Sequence, residues 1–415
     1  MRCGLCQVDA ASLLEIQGKF MRDQLIVAAL RLLRTFIRVD LRKIVILPPS
    51  SGGSLGDQAM LDSTAASVSK FGDVVLVAEP GPNTRLRTKV TYAPLNGGSK
   101  ADKLRALKEI LSAGTIVFLG ADVIDGAYGG DCRRLGIFDL FVRAGLRGAC
   151  LGFSISAKPG EAAKRRLLNL PKMRMHVRDR ISLDRFEKLT GREGILVADT
   201  AFQLRPEVTT PVMEEAIGWA RTQRAQGRRV LVVNLGGWTL ERMKGDGVAA
   251  VNACLGRWLS DSPDRAVLLL PHDFKPAPVG DVEPLRRLNS LLAPQFSERV
   301  MFVEPPFNTW DVKALAEEID FSMTGRMHFS IACLGMGTPS LGIVYQGKFE
   351  GLMDHFGLDD MLIAPDEAAD PDVLFARLNK VEQELPDLRS RITTKLPEIR
   401  ELSWKNFAWL GEERA

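Results

Sequence analysis

Phe321-Ser322-Met323-Thr324-Gly325-Arg326-Met327-His328 is an apolar run that breaks at a glycine and restarts as the helical pattern 329–334. Gly335 or Gly337 is placed to stop that helix in a left-handed cap, and 341–345 is the next apolar run. The order is strand, loop, helix, strand, with Arg326 and His328 at the loop-to-helix junction. A helix start presents unpaired N–H groups and the positive end of its dipole, which favours a phosphate or a carboxylate. An arginine there adds bidentate recognition of the same anions.

Working outward, the same alternation covers most of the chain. Strands are predicted at 43–48, 74–78, 89–92, 115–119, 148–154, 173–177 and 195–198, then, after the proline-bearing stretch 204–211, at 229–234, 266–270, 300–303, 321–324, 341–345 and 361–363. Helical patterns such as 213–226 and 311–318 lie between them. The β-branched runs are continuous rather than alternating, as in strands buried on both faces of parallel sheets. The expectation is an α/β protein with two doubly wound Rossmann-like domains facing across a cleft. An amphipathic segment, 1–40, precedes the first domain, 41–205. The second domain, 206–370, is followed by helices, 371–415, that pack back on the body through Trp404, Phe407, Trp409 and Leu410. Ligands in such sheets bind beyond the carboxyl ends of the strands.

Composition narrows the function. With 415 residues, 46% apolar and 26% charged, the chain is long enough for two cores, and a formal charge of +4 gives no support for nucleic-acid binding. The six cysteines are scattered, and Cys3-x-x-Cys6 has no second pair to complete a zinc site. No apolar run reaches membrane-span length and no signal-peptide core opens the chain, so a cytoplasmic protein is expected. The amphipathic pattern 24–39, with Arg31, Arg34 and Arg38, reads as a helix packed on the first domain. Peripheral contact with an anionic membrane is its alternative.

Four further motifs sit at strand ends. Ser50 to Asp57 joins a strand to the helix beginning near Gln58; Ser54, Gly56 and Asp57 fall here, in neither a P-loop nor a G-x-G-x-x-G. Gly120-Ala121-Asp122, with Gly126, Gly129 and Gly130 beyond it, follows 115–119. His176-Val177-Arg178-Asp179, with Ser182 and then Asp199-Thr200-Ala201-Phe202, places Arg178 to reach a ligand, although Asp179 and Ser182 equally suit helix capping. Asn234-Leu235-Gly236-Gly237 and Pro271-His272-Asp273 end strands of the second half. The four histidines, His176, His272, His328 and His355, show no ligand spacing on a helix, so neither a metal nor a cofactor is expected.

Together these pieces resemble the polysaccharide pyruvyl transferase family over about residues 43 to 360. The resemblance rests on Gly56-Asp57 with Ala59, the turn after Leu119, Val177-Arg178-Asp179 with Ser182, Asp199 with Ala201-Phe202, Pro271-His272-Asp273, and above all Thr324-Gly325-Arg326-Met327-His328 with Pro339, Tyr345 and Lys348. Ser54 stands where many members carry asparagine, and Gly120-Ala121-Asp122 replaces a longer glycine run. The resemblance implies a fold like the two-domain GT-B glycosyltransferases. It also implies transfer from phosphoenolpyruvate to a saccharide, free or lipid-linked, giving a pyruvate ketal in cell-surface polysaccharide synthesis.

Arg326, Lys348 and Gly325 at the helix start would then hold the donor, with Arg178 as a second clamp. His328, of a residue type titrating near pH 6.5, would be general acid or base, and Asp57 or Asp273 would activate a hydroxyl. Gly56, Ser54, His272 and Asn234 would line the substrate site. A GT-B glycosyltransferase using a nucleotide sugar and a non-catalytic saccharide-binding or scaffold protein are the alternatives.

Overall fold

The computed structural model describes residues 10–49, 54–81, 84–96, 98–122, 124–126, 133–171, 173–344 and 348–412, with side chains from residue 22 onward. Cys3, Cys6, residues 50–53, Gly129, Gly130 and Tyr345 lie outside that set. Among the described residues, thirteen strands form two sheets. The first holds β1 (Asp40–Leu47), β2 (Val74–Leu76), β3 (Thr91–Tyr92), β4 (Ala113–Leu119), β5 (Arg147–Phe153), β6 (Arg174–Val177) and β7 (Ile195–Leu196), in the order β3-β2-β1-β4-β5-β6-β7. The second holds β8 (Arg229–Asn234), β9 (Arg265–Leu269), β10 (Val300–Phe302), β11 (Phe321–Thr324), β12 (Ser340–Ile343) and β13 (Leu362–Ile363), in the order β10-β9-β8-β11-β12-β13.

Every pairing is parallel. Ile44, Val45 and Ile46 in β1, and Leu231, Val232 and Val233 in β8, are fully buried, as continuous apolar runs under helices on both faces must be. All thirteen predicted strands are present, with ends displaced by at most three residues.

Helix α1 (Ala10–Thr35) runs along the first domain and includes most of the predicted amphipathic segment. Helix α2 (Leu55–Val68) follows β1 and lies between the domains, buried on nearly every side. It packs on the 3-10 turn Thr200–Gln203, on helix Thr309–Leu315 and on helix Met327–Leu334. Its small residues, Gly56, Ala59, Ser63, Ala65 and Ser67, let those three neighbours approach closely.

Helix Met327–Leu334 ends with Gly335 still in the right-handed region (φ −64°), and Gly337 (φ +81°) makes the left-handed turn. Of the two expected caps, Gly337 therefore takes the conformation that favours glycine. The last helix, Leu385–Glu412, returns to the first domain. Ser403 Oγ donates to Asp199 O at 2.7 Å and Asn406 Nδ2 to Ala198 O at 2.9 Å, while Phe407 and Trp409 are buried.

Candidate active site

Each sheet reverses direction once, between β1 and β4 in the first and between β8 and β11 in the second. A crevice opens at such a reversal, beyond the strand ends. The loops there carry Ser54–Gly56 and Gly120–Asp122 from the first domain, and Asn234–Gly237 and Gly325–His328 from the second. The two sets meet directly: Leu55 N donates to His272 O at 3.1 Å, and Ser54 forms an antiparallel bridge with Asp273.

The charged centre of this junction draws on both domains. His328 Nε2 lies 3.5 Å from Asp199 Oδ2 and 3.2 Å from Met60 Sδ. A Cβ on Gly56 would come within 2.6 Å of His328 Nδ1, so only glycine lets α2 pass beneath the ring. Arg178 is almost fully buried, and donates to Asp199 Oδ2 at 3.0 Å and to Ser154 Oγ at 2.7 Å. His355 Nε2 lies 2.8 Å from Arg178 O. Lys348 pairs with Asp122, which follows Ala121 in a left-handed conformation (φ +43°).

Electrostatics reflect this packing. Burial alone would raise the Asp199 carboxyl, but His328 and Arg178 outweigh it and hold it below the usual range. Burial also opposes ionisation of Asp122, and Lys348, Arg178 and His328 reverse the effect, depressing it strongly. Burial pulls the Lys348 ammonium down, with Asp122 working against it. The cavity bounded by Arg178, Asp199, Met327, Lys348 and His355 holds about 10 Å³. That is barely room for one water.

Beside this centre lies a second network, within the second domain. Asp281, fully buried, accepts from Arg326 Nε at 3.0 Å and Nη2 at 2.6 Å, from Asn234 Nδ2 at 2.9 Å, and from the backbone N–H groups of His272 and Asp273 at 2.9 and 3.0 Å. Arg326 also donates to Val279 O and approaches Asp273 Oδ2 to 3.4 Å. Burial pushes the Asp281 carboxyl up, against the pull of Arg326. Asn234 Oδ1 accepts from Thr324 Oγ1 at 2.7 Å, joining β8 to β11. A Cβ on Gly325 would fall 2.0 Å from Thr239 Oγ1, and one on Gly236 2.6 Å from Arg326 Nε, so the glycines let these loops close over the guanidinium.

The sequence model of the polysaccharide pyruvyl transferase family matches residues 55–347, a span holding both networks apart from Lys348 and His355 at its edge. The chain belongs to that family. It is therefore a transferase. No curated protein matches it at significant similarity.

Among solved structures, the chain is similar to the UDP-bound MnaA of S. aureus, at 9% identity and TM-score 0.59 over 86% of this chain and 91% of that one. It is likewise similar to the Neisseria meningitidis UDP-GlcNAc 2-epimerase, at 9% identity and TM-score 0.59 over 89% and 100%. A Rickettsia africae glycosyltransferase aligns at 10% identity and TM-score 0.57 over 90% and 98%. These establish a two-domain fold of GT-B type for the chain.

The residues singled out in the sequence divide between the two networks. His328, Arg178, Lys348 and Gly56 gather at the interdomain centre. Arg326, Gly325, Asn234, His272 and Asp273 belong to the second-domain network. His272 and Asp273 have different partners: the His272 ring lies against Phe329, with centroids 5.7 Å apart, and the Asp273 carboxylate holds Lys275. Burial and the nearby charges of His328 and Arg326 keep His272 well below the usual histidine range.

Ser54 caps α2, accepting from Asp57 N at 3.4 Å, and the Asp57 charge is felt by Arg134, at the start of helix Arg133–Arg143. Asp179 caps the helix Arg180–Thr190 through Ser182 N at 2.6 Å. Sequence reasoning gave no site role to Asp122, Asp199, Asp281 or His355. Asp122 and Asp199 stood in motifs already noted, whereas nothing around Asp281 marked it.

Proposed function

We propose that this transferase takes the pyruvyl group of phosphoenolpyruvate and places it on two hydroxyls of a saccharide as a ketal. The observation that supports this reading is the interdomain centre, where two cations and a histidine from different loops converge around a space barely large enough for one water. On opening, Lys348 and Arg178 bind the donor phosphate and carboxylate. His328, oriented by Asp199, delivers a proton to the methylene carbon, which leaves an electron-poor carbon at the former enol position. One sugar hydroxyl attacks that carbon and gives up its proton. The C–O bond to phosphate then breaks, phosphate departs with the bonding pair, and the second hydroxyl closes the ketal as its proton passes to the departing phosphate.

Asp122 is the best placed group to receive a hydroxyl proton. While it pairs with Lys348 its carboxylate is a weak base. When the donor phosphate takes over Lys348, the carboxylate loses that partner and its basicity rises. Donor binding thus prepares acceptor activation. Asp273, occupied by Lys275 and Arg326, is less suited to this role.

Thermal stabilisation by phosphoenolpyruvate, set against UDP and UDP-sugars, tests the donor. At 100 times its dissociation constant a ligand adds about 2.7 kcal/mol. We expect a shift with phosphoenolpyruvate that Lys348→Ala abolishes. A shift with UDP or a UDP-sugar in its place, which the resemblance to UDP-bound proteins makes the natural rival, would sink the pyruvyl donor.

A further inference from the structure

Helix α1 is held to the first domain along one edge. Val27 and Leu30 are buried, Arg34 Nη1 donates to Leu111 O at 2.9 Å, and Arg31 Nε donates to Arg143 O at 2.8 Å. The other face is apolar too. Leu25, Leu32, Leu33 and Phe36 are 71%, 61%, 43% and 81% exposed, and Leu41, just inside β1, is 66% exposed. At 3.6 residues per turn, Leu25, Leu32 and Phe36 fall within about 40° of one another, with Leu33 beside them and Val27 and Arg34 roughly opposite. A helix apolar on two faces needs a partner for each. Such a contiguous exposed patch marks an interaction surface.

Charge around the patch selects the partner. Arg22 on the helix and Arg38 and Arg42 just beyond it are exposed, and between residues 22 and 42 five arginines face only two acids, Asp23 and Asp40. We propose that this face docks on an anionic lipid bilayer, with the leucines and Phe36 at the headgroup–acyl boundary and the arginines on lipid phosphates. A second copy of the chain is the competing occupant. A two-fold contact would set the same arginine-rich rim against itself, with too few acids to answer it. Among the described residues no helix is long and apolar enough to cross a membrane, so this contact is one of lying on the surface. The inference stands whichever donor the enzyme uses. It places the first domain, which carries the Ser54–Gly56 and Gly120–Asp122 loops, on the bilayer side.

Flotation of the full chain with phosphatidylglycerol-containing vesicles, and with pure phosphatidylcholine vesicles, tests this, alongside sedimentation to read oligomeric state. We expect wild type to float with the anionic vesicles and stay behind with the neutral ones. Leu32→Glu with Phe36→Glu is expected to abolish flotation. Arg22→Gln with Arg38→Gln is expected to weaken partition about 30-fold, as the loss of two surface arginines implies. All four sites are exposed, and unchanged melting temperatures would show that both variants fold. Wild type failing to float, floating equally with neutral vesicles, or floating unaffected by the variants would overturn the proposal. So would a wild-type dimer that ignores vesicles and that Phe36→Glu dissociates.

Discussion

Arg178 and Arg326 stand on opposite walls of the cleft, each fastened to a buried aspartate, and the two pairs do different work. Arg178 shares its aspartate: Asp199 accepts from the arginine and also receives His328 from the other domain. Arg326 is enclosed by its own loops, with Asp281, Asp273 and Val279 O around the guanidinium. The first arrangement joins the two domains. The second is a fixed keystone that ties the ends of β8, β9 and β11 together and aims the start of helix Met327–Leu334. Two residues apart in one motif, Arg326 is thus paired within its own domain while His328 reaches across to Asp199 of the first.

The largest test of that contrast is Arg326→Ala. It strands Asp281, a fully buried carboxylate, without its cation. Breaking a buried pair in this way costs about 3–5 kcal/mol, and chemical denaturation should show a loss of that size at pH 7. Burial already raises the Asp281 carboxyl above its ordinary value, and the variant raises it further. An acid with a raised folded pKa binds its proton more readily folded than unfolded, so stability falls as pH rises through that window. The deficit should accordingly shrink as pH drops from 7 towards 4. A variant as stable as wild type would mean that Arg326 is no keystone.

Next in size is the docking of His328. Gly56→Ala puts a methyl against the ring, 2.6 Å from Nδ1. A displacement of about 1 Å in a reacting group costs roughly 10²-fold, so kcat for phosphate release should fall by about that factor. The fold should survive, because the three atoms nearest that methyl all belong to the His328 side chain. His328→Gln should lose kcat at least as severely, with melting unchanged. If Gly56→Ala kept full kcat, the closed contact between α2 and His328 would not be the working one.

This contrast also marks what the sequence could reveal. Strand β8 was legible to the residue, because burial on both faces leaves the uninterrupted apolar run 230–233. β1 begins three residues earlier than read, since Asp40 joins the sheet through its register with Ala113, a partner far along the chain. The GT-B architecture and the family followed from those runs and from the Thr324–His328 block. The meeting of His328 with Asp199, or of Lys348 with Asp122, joins residues more than a hundred apart, and no local spacing encodes it. Asp281 was invisible for the same reason: its five donors come from Arg326, Asn234 and the turn at His272. The two exposed and buried faces of α1 were separable only once its neighbours were in place.

A further effect grows with pH and lies behind the contact of Asp199 with His328. Lys313, on helix Thr309–Leu315, is buried and donates from Nζ to Ala201 O and Phe202 O at 3.2 Å each, in the turn that follows Asp199. Desolvation, aided by the nearby charges of Arg400 and Arg87, lowers its ammonium from the usual 10.5 to about 7. A base with a depressed folded pKa binds its proton less readily folded than unfolded. The unfolded chain therefore holds the extra proton between pH 7 and 10.5, and stability rises with pH across that range. The slope from this one group is at most about 1.4 kcal/mol per pH unit. Lys313→Met removes it, so the wild-type and variant stability curves should diverge as pH climbs from 7, with wild type gaining. Parallel curves would place Lys313 in water's reach and leave the turn behind Asp199 held by Ser403 and Asn406 alone.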